Sequence, residues 1–514
     1  MSVEEQVTIA KPWRILKFGG TSVASAPALR ALVDRVREAT AVARPVVVVS
    51  ALAGVTDQLV GLFAQATDRQ RQGVDRSTLV EIRERHRVLL DELAPGDAVA
   101  RGEVDAGVAE IEGRLAWLAE HSPPAGGRDE ILAGGERLSA PLVAAVLRAH
   151  GLPAVAIDAA ELLVTDGHFG DAEVDLAASV LCAPARLKEA GDRVVVLGGF
   201  YGKAGKAGKA GESVALLGRG GSDTSATSLG AAIDAERVDI FTDVDGIHSA
   251  DPRWAPGARR LPSLSIDEAA DLAFFGAKVL HRKCLTALRF RERALPLRVA
   301  STRAGEPGET WIGTAPNGAP GDLSGVVRGI TIARGVASVS IEAGKAGGAM
   351  AGQDSSTALG AHLMRLLRDL RAPVYHLVWS GSGPGATVVL PEASAREVFV
   401  ERFEGEGLES ARVTVRTGLA VVAAVGSSIA WGGGEIAEQF RRVVGGAGGY
   451  GAVFGEAFPN VLLAVVDDAQ ATRVARAVHR RFVEEAAPPP ALAAPVSTPN
   501  AQRRGLAIAV GGAR

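Results

Sequence analysis

Hydrophobic and polar positions along this chain follow two rhythms, and the change from one to the other comes past its middle. From Arg14 to about Ile312, short β-branched runs alternate with longer stretches of helical spacing, as at residues 45–50 (PVVVVS), 193–198 (RVVVLG) and 238–242 (VDIFT). Unbroken apolar runs suit strands buried on both faces, and their alternation with helices predicts a parallel sheet with crossover helices. Between Ser77 and Glu120 the strands give way to two helical stretches separated by Pro95-Gly96, read as an excursion over the ligand-binding edge of the sheet. Residues 203–211 are a KAG triplet repeat, read as a solvated Gly-rich hairpin extension rather than a phosphate-binding element.

A linker signal at residues 305–309 (GEPGE) ends the first rhythm. From Val326 onward the order becomes strand, helix, strand, strand, helix, with strands at 336–341 and 386–390 and an amphipathic helix at 355–370. A second cycle occupies 420–426, 434–444, 461–466 and 468–482. The expected organisation is an N-terminal extension at 1–13, a large α/β unit at 14–312, and two βαββαβ units at 326–415 and 416–484. Residues 485–514 are Ala/Pro-rich with little patterned apolar surface, and are expected to form a disordered tail.

Composition narrows the function. The chain has 514 residues, enough for several domains, and its 47% hydrophobic content, mostly Ala, Val and Leu, supports a large α/β core. A net charge of −3 gives no footprint for nucleic acid or anionic membrane, so the expected ligand is a small molecule. Two cysteines, Cys182 and Cys284, build neither a disulfide framework nor a zinc cluster, and a reducing cytoplasm is the simplest compartment. Residues 1–12 lack the apolar core of a signal peptide, and the run from Val46 is too short to span a bilayer.

Two glycine-rich segments carry the chemistry. Residues 17–23 (KFGGTSV) put a lysine at a strand end and a glycine pair at the turn into a helix, whose N-terminus faces anions. Residues 216–225 (LLGRGGSDTS) repeat the device with Arg219 ahead of the glycines and Asp223 behind. Neither is a P-loop, which ends in Gly-Lys-Ser/Thr. Cations, flexible backbone donors and an acid are the groups needed to move a phosphoryl group onto another anion.

In order along the chain, KFGGTSVAS, VVVVSALAGVTDQL, ILAGGERLSA, GRGGSDTSA, TDVDGIHSADPR and FGAKVLHRK match the motifs of aspartate kinases. From Ile15 to about Ile312 the chain closely resembles that family, and its two C-terminal cycles resemble the paired ACT domains of the same enzymes. The resemblance implies an amino-acid-kinase fold, a mostly parallel central sheet with helices on both faces, followed by two α+β ferredoxin-like ACT units. It implies ATP and Mg²⁺, phosphorylation of the side-chain carboxylate of L-aspartate to 4-phospho-L-aspartate, and the first step towards lysine, threonine and methionine. A homodimer or higher homo-oligomer through the ACT-like units follows from it as well.

Residue assignments combine both readings. Lys17 is the candidate for the γ-phosphoryl, with Gly19, Gly20 and Thr21 beside it at the nucleotide, against the competing role of a surface lysine at a strand end. Arg219 can grip a carboxylate with its planar fork, and Gly220, Gly221 and Ser222 accompany it at the substrate. Glu136 matches the family glutamate that holds aspartate and is assigned the α-ammonium, a pair with Arg137 being the alternative. Ser50 and Thr56 match substrate-pocket positions, with helix capping as the competing role. Thr242 and Asp243 lie at the tip of the VDIFT strand, where ligands of open parallel sheets sit. By resemblance, Lys278, Val279 and Arg253 reach the nucleotide, whereas Asp251 shapes the loop with Pro252. His248 stands where the family often has tyrosine, leaving less area to stack. Asp223 orders the glycine loop or holds Mg²⁺, the choice staying open, and His281 is read as structural.

Two rivals stand beside this reading. KFGGTSV, GGERLSA and the duplicated cycles argue against a sibling kinase of glutamate, acetylglutamate or a nucleotide. Intact Lys17, Arg219, Asp243 and Lys278 argue against a non-catalytic amino-acid sensor. Residues 342–356 (EAGKAGGAMAGQDSS) are longer and richer in glycine than the effector-binding turn of lysine-sensitive relatives and lack its phenylalanine, and Asn460 lacks the usual serine and histidine neighbours. Weak or absent inhibition by lysine is expected, with the ACT-like pair serving mainly dimerisation.

Overall fold

Val46–Val49 are wholly buried in the second strand of a mixed sheet, which is why an unbroken valine run is tolerated there. The computed structural model describes residues 11–70, 74–205, 213–277, 280–303, 308–313, 327–342, 354–370, 373–379, 385–395, 412–427, 429, 433–449, 453–458 and 460–485. Its first part runs β1 (Trp13–Phe18), α1 (Ala26–Val42), β2 (Arg44–Val49), α2 (Val55–Thr67), α3 (Arg76–Leu93), α4 (Ala98–Glu120) and α5 (Gly127–Ala149). It continues through β3 (Ala154–Ala156), β4 (Val164–Thr165), α6 (Leu176–Glu189), β5 (Val194–Gly198), β6 (Tyr201–Ala204), β7 (Val214–Leu216), α7 (Gly221–Ala232) and β8 (Arg237–Thr242). Then come β9 (Ser263–Leu264), α8 (Ile266–Phe274), α9 (Arg282–Thr286), β10 (Leu297–Ser301) and β11 (Glu309–Ile312).

The main sheet has the order β3-β5-β2-β1-β8-β10-β11-β9, and the six strands from β3 to β10 run parallel to one another, whereas β11 pairs with β10 antiparallel. Chain progress reverses beside β1, with β2 on one side and β8 on the other. Such a switch point leaves a crevice at the carboxyl ends of the strands, and there the fold places its polar groups. The break at Pro95-Gly96 falls between α3 and α4, where Asp97 caps α4 by accepting the Ala100 N–H. The KAG segment begins in β6, which pairs antiparallel with β7, while its residues 206–211 lie outside the described residues.

The C-terminal part runs β12 (Gly329–Glu342), α10 (Asp354–Leu370), β13 (His376–Trp379), β14 (Gly385–Pro391), α11 (Glu392–Ala395), β15 (Arg412–Val425), α12 (Gly433–Gly446), β16 (Val453–Phe458), β17 (Val461–Asp467) and α13 (Asp468–His479). Its strands form one antiparallel sheet, β13-β14-β12-β15-β17-β16. The division drawn at 415/416 falls inside β15, a continuous strand. Two lengths of β12 pair with it: Ser338–Glu342 with residues 412–416, and Gly329–Arg334 with residues 420–425, separated by a bulge. Glu309, expected to close the linker, begins β11 instead, because it pairs with Ala300 in the main sheet. Residues 1–10, the 343–353 segment on which the effector reading rests, and the expected tail at 486–514 lie outside the described residues.

The two parts share a hydrophobic core that includes Phe275 and Leu272 from one and Val336, Val421 and Val465 from the other. Polar contacts reinforce it. The Ser427 N–H and hydroxyl both donate to Glu268 Oε1, whose other oxygen completes the capping box of α8. Thr331 donates to the Phe275 carbonyl at 3.0 Å. Asn460 hydrogen-bonds Asp271 of α8, partly offsetting the burial that pushes the Asp271 carboxyl up to about 6.

Candidate active site

The carboxyl ends of β1, β2 and β5 open into a cavity of about 370 Å³. Lys17 enters it from β1, with Gly20 in the turn that follows. A Cβ on Gly20 would approach the Ala51 carbonyl to 2.8 Å, so only glycine lets this turn lie against the end of β2. The turn is a short 3₁₀ segment, Gly20–Ser22, and α1 starts later than the sequence reading placed it. Ser25 caps that helix and Pro27 occupies its first turn, so both residues hold the start at Ala26.

Opposite Lys17, the GRGG segment opens α7. Gly220 has φ +68° and sits against His281, two reasons why it carries no side chain. Arg219, Gly221, Ser222 and Asp223 line the cavity beside it. Lys17 Nζ lies 2.6 Å from Asp223 Oδ1, both side chains being largely buried. This ion pair joins the two glycine-rich segments across the cavity.

From β2 and α2 come Ser50 and Thr56, and Ser50 donates to Ser222 Oγ at 3.0 Å. Glu136 arrives from α5 and is 3% exposed. The alternative partner, Arg137, turns instead to Asp158 at 3.0 Å and Glu130 at 3.2 Å. Glu136 Oε2 is buried with no hydrogen-bond partner in the structure. Burial pushes its carboxyl up to about 8, against the opposing pull of the Ala51 N–H. Burial thus disfavours the charged form of a carboxyl that faces a cavity also holding two cations.

The nucleotide candidates lie apart from this cavity, towards β8. Thr242 and Asp243 close that strand, the Thr242 hydroxyl donating to Asp243 at 3.1 Å. His248 is held by Asp245 at 2.8 Å, and this bond pulls the Asp245 carboxyl below its ordinary range. Arg253 folds back on Asp251, which also accepts the Arg253 N–H and so shapes the turn at Pro252. Gly19 and Thr21 flank the cavity's Gly20 without lining it. His281 caps α9, its Nδ1 accepting from the Lys283 N–H. Lys278 and Val279 lie outside the described residues.

Sequence reasoning missed Phe200 and Asp57 among the lining residues. Phe200 has φ +74°, a conformation a bulky residue adopts only when its surroundings impose it. The available signal was position: it follows β5, a parallel strand whose carboxyl end faces the crevice.

This arrangement has relatives. Lysine-sensitive aspartokinase 3 of Escherichia coli (strain K12) is 34% identical over 299 residues, 58% of this chain and 63% of that protein. An aspartokinase of Mycolicibacterium smegmatis is 30% identical over 298 residues, 57% of this chain and 56% of that one. The matched segment thus spans less than two thirds of the length of these relatives. In three dimensions, E. coli aspartokinase III in complex with aspartate and ADP superposes with a TM-score of 0.75 at 26% identity, covering 91% of this chain and 99% of that one. The amino acid kinase family model matches residues 12–301, a range that takes in both glycine-rich turns and every strand tip of the crevice, and the chain belongs to that family.

Proposed function

We propose that the protein transfers the γ-phosphoryl group of ATP to the side-chain carboxylate of L-aspartate. One observation carries this reading: a single cavity gathers a buried carboxyl with an unpaired oxygen, Glu136, and two cations, Lys17 and Arg219. A ligand satisfying all three has an ammonium for Glu136 and two acidic groups for the cations. Aspartate and glutamate both carry that set, and the two aspartokinase relatives and the aspartate complex of the E. coli enzyme support aspartate, the shorter of them.

In this reading Arg219 holds the α-carboxylate, Glu136 the ammonium, and Ser50, Thr56 and Ser222 offer hydroxyls around the backbone of the substrate. The side-chain carboxylate, already an anion, needs no general base. Its oxygen forms a bond to the γ-phosphorus as the bond to the β,γ-bridging oxygen breaks and ADP leaves. Bringing two anions together is the barrier, and Lys17 offsets it by exchanging its contact with Asp223 for the moving phosphoryl group. Thr242 and Asp243 serve the nucleotide from β8. Among the described residues no group of three acidic, histidine or cysteine side chains forms a metal cage. A metal carried by the phosphates and completed by one carboxylate such as Asp223 fits this donor set, and it would neutralise phosphate charge.

The test is direct: with Mg²⁺ and ATP, L-aspartate yields a hydroxylamine-trappable acyl phosphate. Folded protein that binds nucleotide and makes none overturns the reading. We further propose self-association through the C-terminal sheet, whose edge strand β13 exposes Val378 and Trp379, and weak or absent inhibition by lysine. Light scattering and an activity titration against lysine, threonine and methionine check the two.

A further inference from the structure

The strands that carry the two halves of the cleft are tied together by a hydrogen-bond relay that crosses a strand tip. In the sheet β10 pairs with β8 and β8 with β1, so β10 and β1 are not neighbours. Thr302, the residue after β10, nevertheless reaches both. Its N–H and its hydroxyl both donate to the Thr242 carbonyl, at 2.9 and 3.1 Å. Its Oγ1 lies 2.7 Å from the Ser22 hydroxyl in the turn after β1, where Ser22 and Thr302 are 4% and 6% exposed. A carbonyl only accepts, so with the Thr302 hydroxyl proton given to Thr242 it is Ser22 that donates to Thr302, although the geometry of the two hydroxyls allows either to be the donor. The relay links the turn after β1 to the end of β8.

Around it the packing leaves little play. Arg35 of α1 donates to the carbonyls of Ser301, Thr302 and Arg303, at 3.1, 3.4 and 2.7 Å, and its guanidinium lies over the Phe241 ring. Phe241 stacks on Phe18 with ring centroids 4.9 Å apart, joining the penultimate residue of β8 to the last residue of β1. Beyond Phe18 and Phe241 the ladder between β1 and β8 ends, and Ser22, Thr302 and Thr242 take over.

We propose that Thr302 is a positioning residue that sets the separation between the Lys17 turn and the Thr242–Asp243 tip. The proposal rests on the kinase reading, in which the first holds the moving phosphoryl group and the second the nucleotide. In-line transfer depends steeply on the spacing of the two reactants, whereas binding of either alone does not. Thr302→Val keeps the shape and removes the hydroxyl, leaving the Ser22 donor buried without its acceptor. Expected for Thr302→Val is a fall in kcat of about tenfold or more, with calorimetric affinities for L-aspartate alone and for Mg-ADP alone nearly unchanged. Thr302→Ser, which restores the oxygen, recovers kcat, and Ser22→Ala lowers it without adding to the Thr302→Val loss.

Hydrogen exchange supplies a readout independent of the acceptor. Amides of residues 19–23 should exchange faster in Thr302→Val and in Ser22→Ala, but not in Thr302→Ser. An unchanged kcat with unchanged exchange, or a Thr302→Ser as impaired as Thr302→Val, overturns the proposal. So does a parallel loss of both single-ligand affinities, the mark of a merely structural residue. If Thr302→Val fails to fold, Ser22→Ala decides. If the wild-type protein makes no acyl phosphate, the aspartate reading falls, and the exchange comparison still decides the relay.

Discussion

The acceptor side of the cleft sinks three of its ionisable groups into the interior and leaves Arg219 exposed at its mouth, whereas the charges of the nucleotide side are mostly exposed. Glu136 is 3% exposed, and the Lys17 and Asp223 side chains are 12% and 13% exposed. On the other side Arg253 is 75% exposed and pairs with its own neighbour Asp251, as Asp245 pairs with His248. A buried charge lacking a full set of partners has lost its hydration and regains the loss only from one ligand shape. An exposed, locally paired charge loses little and discriminates little. In the proposed kinase reading, selectivity for the amino acid is held in the deep half, and the shallow half contributes mainly attraction and placement.

That contrast can be broken most severely at Lys17. Lys17→Ala should lower kcat by about 100-fold or more while the KM for aspartate changes far less, since the charge matters most as the phosphoryl group moves. An unaffected kcat would return Lys17 to the role of a strand-end lysine. Glu136→Gln comes next, weakening aspartate binding by about 1.5 to 3 kcal/mol through loss of a charged hydrogen bond, with ATP affinity intact. Arg219→Lys keeps the charge but loses the fork, and a loss of about 1 kcal/mol, again for aspartate alone, is expected by competition calorimetry. Equal losses for both ligands would make Arg219 a loop anchor. The smallest effect belongs to Arg253→Ala, no more than a few-fold in the KM for ATP; a larger one would erase the distinction between the two halves.

Acidity sharpens the same comparison. The Glu136 carboxyl is raised from 4.5 to about 8 by burial, so between those values the folded protein binds a proton that the unfolded chain has released. Stability contributed at this site is greatest below about 4.5, falls as pH rises towards 8, and is level beyond. The melting temperature of Glu136→Gln should exceed that of the wild type by a margin that grows across this range. Because the ammonium requires the carboxylate, aspartate affinity should rise with pH up to about 8, and calorimetry in buffers of different ionisation enthalpy should detect proton release on binding.

What could be read from the chain follows from how local each feature is. The valine run of β2, the α3–α4 break at Pro95-Gly96 and the glycine-rich turns depend on adjacent residues and were legible. Lys17 and Asp223, distant in sequence, could be nominated separately, but their 2.6 Å contact is a product of the crossover that sets α7 against β1. Phe200 offered only its position after β5, and its φ of +74°, held beside Gly221 with its carbonyl accepting the Leu217 N–H, has no counterpart in the adjacent residues. The continuity of β15 across the expected boundary was hidden for a similar reason. Residues 412–416 fall in no expected strand, because only the far half of β12 supplies them with a partner.

Glu268 is 0% exposed, and both protons that satisfy its Oε1 come from Ser427, in the C-terminal part. Exchange of C-terminal halves between related genes is thereby constrained. A graft that joined this N-terminal half to a foreign sheet lacking a hydroxyl and a free amide at that point would leave Oε1 of a buried carboxylate unpaired in the seam, beside the capping box that its other oxygen completes. The chain is organised as two folds, yet in recombination it should behave as one, and crossovers near its middle should survive only when donor and recipient already agree at this contact.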